Sequence, residues 1–395
     1  MKRICYITPR SAPYPGGIAT STDSITSVLA EAGFAITVIT LNAGSQGVRK
    51  GISYSNVNIG KSPFELVLLG LLKILHLHDF SFWSLVNLKT LILFTKLHRS
   101  NHFQIVINHD YYSTAYLINR LKSFLKRLYP FQMVVRISGP LKILESEFYF
   151  PHPLEKKLIL KAELGHLKRA DWIIYPSEIM LNLIKKEVKL PLDNSIRIST
   201  PLPKLLIPKL RKENICLYVG RIQDGKGIED LLSAWVGIEK DLIKNFKLKI
   251  VGGDTPFKDG SSYKTYLVNT YLNKYSLPGT VEFKGLEDRT DLAKELARAK
   301  FLIAPSRMEN YPNTVAEAIL AGCFVIGTEG TGVEEILRFY KYNLFSLVPA
   351  KSPASLSAEL VMQLSLQHPN PDLGTVYEIN RRNSARLVSF LNNLP

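Results

Sequence analysis

Two glutamates with seven residues between them stand in the stretch SRMENYPNTVAEAILAG. Pro312 and Asn313 form a loop directly before an apolar helical run. The pattern therefore predicts that Glu309 lies in a loop after a strand and Glu317 near the second turn of a helix. Open α/β sheets bind ligands at the carboxyl ends of their strands, and the free N–H groups at a helix start suit an anionic or hydroxyl-rich ligand. The pair is a candidate for ligand binding, although a glutamate here could also cap or solvate the helix.

Two cations with four residues between them stand in GRIQDGKG. Arg221 and Lys226 follow the predicted strand ICLYVG and precede a predicted helix, with Gly220, Gly225 and Gly227 in the turn. The alternative is two ordinary surface cations, which the positive end of the helix dipole disfavours. The pattern indicates an anion site at the end of this strand.

Such an anion site could stabilise a leaving diphosphate. A fixed guanidinium and ammonium offset the negative charge that develops as a sugar–phosphate bond breaks. The chain contains no Asp-x-Asp pair, the usual carboxylate clamp for Mg²⁺. We therefore expect Arg221, Lys226 and peptide dipoles to meet this charge, with no metal and no cofactor.

The first half of the chain alternates between strand and helix patterns. Arg3 to Thr8 and AITVITL are apolar runs without polar alternation, typical of parallel strands covered on both faces. A helix is predicted between them over 18–32, so a βαβ unit opens the chain. Further strands are predicted at 104–109, 133–138 and 172–177.

Gly16 and Gly17 lie in the loop between the first strand and the first helix. Backbone without side chains could approach a phosphate or a sugar there, and a simple turn is the alternative. The spacing does not fit G-x-G-x-x-G, so a nicotinamide site has no support.

The same pattern restarts after TPLPKLLIPKLRK at 200–212, a proline-rich linker. We predict an α/β fold with two Rossmann-like domains built on parallel sheets. Residues 1–203 would form the first domain and 204–375 the second. A last helix, about 376–395, is expected to pack back on the first domain.

The formal charge of +16 favours anionic partners such as nucleotides or lipid phosphates. Nucleic acid is not expected, because no aromatic–basic interleaving or helix-turn-helix pattern stands out. The three cysteines lie in apolar stretches and the amino terminus lacks the pattern of a signal peptide. These features predict a cytoplasmic protein.

The leucine-rich segment 64–97 is interrupted by charged residues and is not expected to span a membrane. Packed helices are the favoured interpretation and a membrane-docking surface the alternative. The basic stretches 154–169 and 183–190 could meet anionic lipid headgroups at the inner membrane face, or could be solvated helix faces.

Taken together, these residues resemble the family-4 retaining glycosyltransferases with the GT-B fold. The segments that carry the resemblance are PGGIATS at 15–21, GRIQDGKG at 220–227, VEFKG at 281–285, PSRMENYPNTVAEAILAG at 305–322 and GTGVEEI at 330–336.

The resemblance implies a donor cleft between the two domains, with 1–203 as the acceptor-side domain and 204–375 as the nucleotide-sugar-binding domain. It also implies roles for the residues that match the segments above. Arg221 and Lys226 would hold the donor diphosphate, Glu317 the ribose hydroxyls, and Leu286 would flank the base. Glu309 would face the sugar and support developing positive charge, while the leaving diphosphate helps to deprotonate the acceptor on the same face. Backbone contacts to the sugar and phosphate would come from Gly17, Tyr311, Pro312, Asn313 and Thr314.

One position departs from the family pattern. Many relatives carry a histidine where this chain has Ser138, in VVRISGP, so an imidazole contact to the sugar is absent or replaced. His109, which ends another predicted strand at the same edge, is a candidate replacement, or else a polar loop residue. Arg136 could bind a phosphate of the acceptor.

The leading hypothesis is transfer of a hexose from a UDP- or GDP-sugar to a glycan or lipid-linked acceptor in polysaccharide or glycolipid synthesis. Two alternatives are a sugar-nucleotide-binding protein that has lost turnover, and a nucleotide-sugar epimerase. Donor turnover in the presence of acceptors, and the products formed from donor alone, distinguish the three.

Overall fold

The computed structural model describes residues 2–11, 16–41, 47–59, 65, 67, 78–141, 143, 153–188, 193–257, 260–275 and 280–395. The chain divides into two compact units. The first unit comprises Met1–Pro201 and Asn383–Pro395, and the second unit comprises Leu202–Arg382. The change from first to second unit thus falls in the proline-rich stretch that the sequence marks as a linker.

The first unit is built on an eight-stranded sheet in the order β3-β4-β2-β1-β5-β6-β7-β8. Every neighbouring pair is parallel except β3 and β4, which are antiparallel. Apolar, largely β-branched runs such as AITVIT form its central strands because both faces are covered. The strands are β1 (Arg3–Thr8), β2 (Ala35–Thr40), β3 (Gly47–Arg49), β4 (Ile52–Asn56), β5 (Ile105–His109), β6 (Gln132–Arg136), β7 (Trp172–Tyr175) and β8 (Ser195–Arg197).

The described helices of the first unit lie between these strands, and the end of the last helix of the chain also belongs to this unit. Leu387, Leu391 and Leu394 from that helical end are part of the core that lies against β1 and β2. The helices between the strands are α1 (Gly17–Glu31), α2 (His78–Asn101), α3 (Tyr116–Phe124), α4 (Pro153–Lys168) and α5 (Glu178–Val188).

The second unit is built on a six-stranded, fully parallel sheet in the order β11-β10-β9-β12-β13-β14. Its core is one large cluster that includes Trp235 and Phe301. The strands are β9 (Glu213–Val219), β10 (Lys247–Val251), β11 (Val281–Gly285), β12 (Ala299–Ala304), β13 (Phe324–Thr328) and β14 (Phe345–Val348).

Helices connect the strands of the second unit. They are α6 (Ile228–Val236), α7 (Lys240–Ile243), α8 (Tyr263–Leu267), α9 (Asn273–Tyr275), α10 (Arg289–Arg298), α11 (Asn313–Leu320), α12 (Gly332–Phe339), α13 (Pro353–Ser365) and α14 (Leu373–Asn392), with a π-helical turn, Val268–Leu272, between α8 and α9. Helix α14 continues from the second unit into the first at Asn383.

The fold class predicted from the sequence is confirmed: an α/β chain with two domains built on parallel sheets. Strands β3, β4, β8 and β14 were not predicted, because short strands at or next to a sheet edge have little apolar pattern. Of the leucine-rich segment 64–97, residues 78–97 are helical, and most of 64–77 lies outside the described residues. None of the described helices combines the length and apolar character needed to cross a bilayer.

Candidate functional site

The order of the strands reverses at β1 in the first sheet and between β9 and β12 in the second, and such a reversal marks where a ligand is expected. In the second sheet β9 lies between β10 and β12, so the loops after β9 and β12 leave the sheet on either side of one crevice. Such a switch point, at the carboxyl ends of the strands, is the usual ligand site of open α/β sheets. Arg221 and Lys226 follow β9 and Glu309 follows β12.

Lys226 and Glu309 form an ion pair across this switch point. The ammonium nitrogen of Lys226 donates to Glu309 Oε2 at 2.5 Å. The two side chains are 21% and 16% exposed, so the pair is reachable from solvent and largely shielded from it. A lysine with three donors can hold a carboxylate and a phosphate oxygen at once.

A glycine allows the Lys226 loop to lie against the end of β12. Gly227 has φ +68°, and a Cβ there would lie 1.9 Å from the carbonyl oxygen of Pro305. The N–H of Arg307 also donates to the carbonyl of Gly225 at 2.9 Å. Any larger residue at 227 would push the loop away from β12.

Arg307 fixes this loop through its side chain and was not predicted from the sequence. Its Nε and Nη2 each donate to the carboxylate of Asp230 at 2.8 Å, and its Nη1 donates to Asp224 at 2.6 Å. These carboxylates hold the pKa of Arg307 above its usual value, with the hydrogen bond to Asp230 the largest cause. Arg307 could have been predicted as a site residue from its position two residues before Glu309 in PSRMENYP.

The start of α12 also holds the loop that carries Glu309. The N–H of Gly332, at the start of α12, donates to the carbonyl of Glu309 at 2.9 Å. A Cβ on Gly332 would lie 1.9 Å from the carbonyl oxygen of Asn310. A glycine at position 332 is thus needed for α12 to contact the loop that carries Glu309.

Helix α11 begins directly after this loop. Pro312 is its N-cap and provides no side-chain hydrogen bond to the free N–H groups. Asn313 and Thr314, in the first turn, are partly exposed. The Tyr311 hydroxyl donates to the hydroxyl of Tyr340 at 3.4 Å. The predicted backbone contacts therefore lie at an accessible helix start.

Glu317 lies one turn further along α11 and is nearly covered. Its side chain is 4% exposed, and the nearest cation is Nη2 of Arg289, 3.9 Å from Oε1. Burial raises the pKa of Glu317 to about 7, while Arg289 lowers it. Glu317 thus pairs with Arg289, whereas Glu309 pairs with Lys226.

The other two predicted donor residues of this unit are exposed. Arg221 lies at the surface, and its carbonyl accepts a hydrogen bond from the Tyr218 hydroxyl at 2.9 Å. Leu286, directly after β11, is 67% exposed. Both follow carboxyl ends of strands, as predicted.

The first unit has its own switch point, at β1 between β2 and β5. Gly16 and Gly17 begin α1 there and are exposed. Gly16 has φ +124°, a conformation that other residues rarely adopt, and no side chain caps this helix start. The backbone here is accessible, as a phosphate or sugar contact requires.

His109 ends β5 and is fully buried. Its Nδ1 lies 2.6 Å from Ser138 Oγ, and its Nε2 lies 3.1 Å from the Tyr6 hydroxyl and 3.2 Å from Thr22 Oγ1. Burial, and then the nearby charge of Arg136, lower the pKa of His109 to about 3, so the ring is neutral. Both ring nitrogens of His109 thus have protein partners in this structure, and a contact between His109 and a sugar stays a prediction.

Ser138, the hydrogen-bond partner of His109, is partly exposed. Its backbone is held by a buried acid, Asp110, which was not predicted from the sequence. Asp110 accepts from the N–H groups of Ser138, Tyr111 and Gly139 at 2.8, 2.9 and 3.3 Å. Burial raises the pKa of Asp110 to about 6 against these hydrogen bonds, which lower it.

Arg136 does not fit the predicted contact with an acceptor phosphate. It is 3% exposed, and its Nη2 donates to the Thr200 hydroxyl. A guanidinium this deeply covered acts on its surroundings by charge, as its effect on the pKa of His109 shows.

Within the described residues, no three side chains among His, Cys, Asp and Glu lie close enough to hold a metal ion. The described groups at the second switch point include the Lys226–Glu309 pair, the exposed Arg221 and the start of α11. This set can bind an anion next to a carboxylate.

Part of the chain matches a known protein family. Residues 207–370 match the family described as glycosyl transferases group 1. An uncharacterized glycosyltransferase of Methanocaldococcus jannaschii is 27% identical over 168 residues. That match spans 42% of this chain and 43% of the relative, less than half the length of either.

Solved structures resemble the whole chain. Sucrose-phosphate synthase from Thermosynechococcus elongatus has a TM-score of 0.68 at 18% identity, covering 98% of this chain and 94% of that one. The Anabaena protein HepE in complex with UDP-glucose has a TM-score of 0.63 at 13% identity, covering 98% and 95%. At these identities the likeness shows the fold. The chain therefore has the two Rossmann-like units of the GT-B fold, and its residues 207–370 match the family of glycosyl transferases group 1.

Proposed function

We propose that this protein is a retaining glycosyltransferase that moves a hexose from a nucleotide-diphosphate donor to a glycan or lipid-linked acceptor, without a metal. The reaction would serve polysaccharide or glycolipid synthesis at the cytoplasmic face of a membrane. The Lys226–Glu309 ion pair at the switch point of the second sheet is the observation that carries the proposal.

The pair supplies the two charges that the bond cleavage needs. As the sugar leaves, negative charge grows on the diphosphate and positive charge on the anomeric carbon. The ammonium of Lys226 and the guanidinium of Arg221 bind the negative diphosphate. Glu309 faces the positive charge on the anomeric carbon. Because the two groups lie 2.5 Å apart, both can reach adjacent atoms of one donor.

The remaining donor contacts follow from position. The N–H groups at the start of α11 suit phosphate or sugar oxygens, and the exposed Leu286 offers an apolar face to a base. Glu317 is proposed as the partner of the ribose hydroxyls. Of the two bases considered, uracil is favoured, because HepE was solved with UDP-glucose.

Retention follows if the acceptor attacks from the side that the diphosphate leaves. The departing diphosphate then takes the acceptor proton, so no separate protein base is required. The acceptor is proposed to bind at the carboxyl edge of the first sheet, where Ser138 is partly exposed.

The experiment has two arms. A thermal-shift screen against UDP, GDP, ADP and their sugars identifies the donor, because a bound ligand raises the melting temperature by mass action. Release of the nucleotide from that donor is then measured with and without candidate glycan acceptors for the protein and for Glu309→Gln.

We expect a shift with one nucleotide-sugar class, and acceptor-dependent turnover that Glu309→Gln abolishes while the shift remains. Unchanged turnover in Glu309→Gln would remove the catalytic assignment. A shift without turnover would indicate a binding protein, and an isomerised sugar from donor alone would indicate an epimerase.

A further inference from the structure

The segment after Tyr116 in the first unit exposes apolar side chains. Residues 123–128 are all exposed, and among them Phe124 is 74%, Leu128 68% and Leu125 40% exposed. Soluble proteins commonly expose single apolar residues, but three within five positions, one of them aromatic, form a patch.

The same segment is basic. Residues 116–131 include four Lys and Arg and no Asp or Glu. Arg120, Lys126 and Arg127 are exposed, whereas Lys122 is paired with Asp171. Exposed apolar side chains and exposed cations therefore lie together in one short segment, which we call the 120–128 surface.

The neighbouring helices extend this positive charge. Helices α2, α3 and α4 contact one another. The only acids of α4, Glu155 and Glu163, are buried at 1% and 2% exposure, and none follows Asp79 in α2. The exposed cations of the three helices and of the residues directly after α3 and α4 are Lys96, Arg99, Arg120, Lys126, Arg127, Lys157, Lys161, Lys168 and Arg169.

We propose that the 120–128 surface docks on an anionic lipid bilayer. Phe124 and Leu128 enter the boundary between headgroups and acyl chains, and the surrounding cations meet lipid phosphates. The protein lies on the membrane through this surface. A second copy of the chain is a poor occupant, because two such surfaces would bring like charges together.

The proposed membrane contact lies at 120–128, whereas the sequence suggested the basic stretches 154–169 and 183–190. The basic stretch at 154–169 contributes cations through α4, but its one strongly exposed apolar residue is Leu154, at 50%. The segment 120–128 combines both features. The inference rests on exposure and charge, and does not depend on the proposed transfer reaction.

The test is co-sedimentation of the full chain with vesicles of phosphatidylglycerol and phosphatidylcholine, and with vesicles of phosphatidylcholine alone. Two double variants are compared with the unsubstituted protein: Phe124→Ser with Leu128→Ser, and Lys126→Gln with Arg127→Gln. The matched control is Met362→Ser with Leu366→Ser, because these residues are also four apart and exposed, at 48% and 53%. No Lys or Arg flanks them in ELVMQLSLQH.

We expect binding to the anionic vesicles that weakens with salt, and at least about tenfold weaker binding for either 120–128 variant. The control should bind like the unsubstituted protein, and melting temperatures should agree because all four apolar positions are exposed. Equal binding to both kinds of vesicle, or unchanged binding of the Phe124–Leu128 variant, would overturn the proposal. So would a change of oligomeric state without vesicle binding, which would assign the surface to self-association.

Discussion

The hydroxyl of Ser138 lies 2.6 Å from Nδ1 of His109. The other ring nitrogen of His109, Nε2, lies 3.1 Å from the Tyr6 hydroxyl. A buried tyrosine hydroxyl needs an acceptor. Burial raises the pKa of Tyr6 to about 12, although the charge of Arg136 and the hydrogen bond with Thr22 lower it, so the hydroxyl keeps its proton. We expect Tyr6 to donate to Nε2 and Nδ1–H to donate to Ser138. The Ser138 proton is then directed to a ligand oxygen.

Ser138→Ala removes the serine hydroxyl as a donor. It should not open the core, because Ser138 is the partly exposed end of the hydrogen-bonded series Tyr6, His109 and Ser138. We expect turnover of the identified donor to fall by about tenfold, the effect of one hydrogen bond, while the nucleotide shift stays unchanged. The measurement is the rate of nucleotide release at saturating donor, with Ser365→Ala as control. A full rate in Ser138→Ala would mean that this hydroxyl contacts no substrate.

Gly227→Ala should damage the second unit. Its Cβ would lie 1.9 Å from the Pro305 carbonyl, and φ +68° is strained for alanine. We expect a lower melting temperature and a loss of nucleotide binding, because the Lys226 loop must move away from β12. Gly253→Ala is the control, since nothing lies within 4 Å of its Cβ. Equal melting temperatures for both variants would contradict the described loop.

Arg307→Lys tests whether the arginine positions Lys226. Lysine keeps the charge but cannot make the paired hydrogen bonds to Asp230. We expect nucleotide affinity to fall by about three- to tenfold, with a smaller loss for Arg338→Lys, whose ion pair with Glu334 is on the surface. Calorimetric titration with the identified nucleotide measures both, and equal affinities would show that Arg307 only stabilises the fold.

Glu317 makes stability depend on pH. The folded pKa of about 7 lies above the usual 4.5, so the folded state keeps a proton that the unfolded chain releases between those values. The free energy of unfolding therefore falls as pH rises through that window, by at most about 1.4 kcal/mol per pH unit for this group. From pH 5 to pH 8 the melting temperature should fall more in the unsubstituted protein than in Glu317→Gln. An identical fall in both proteins would show that Glu317 ionises freely.

Much of the fold could be predicted from the sequence. The central strands of both sheets are apolar runs that stay covered on both faces, and helices with clear periodicity lie between them. Short edge strands such as β8 and β14 give no such signal, because their burial depends on neighbours distant in the sequence. The reversals of strand order also depend on tertiary packing.

The sequence was sufficient to place Arg221, Lys226 and Glu309 after strand ends and Glu317 in a helix, and the structure has them there. Their roles in binding stay predictions. Burial of His109 and Arg136 could not be seen, since a polar residue at a strand end has the same local sequence whether covered or exposed. Arg307 and Asp110 were missed for the related reason that their partners are remote in sequence or backbone N–H groups.

The most direct test of the account is the dissociation constant of the identified nucleoside diphosphate for Lys226→Ala, measured by calorimetric titration. Lys244→Ala is the control, because Lys244 also pairs with an acid in the second unit but is 62% exposed. We predict binding about 10- to 100-fold weaker in Lys226→Ala, from the loss of a charged hydrogen bond, and unchanged binding in Lys244→Ala. Equal dissociation constants for Lys226→Ala and the unsubstituted protein would contradict the account.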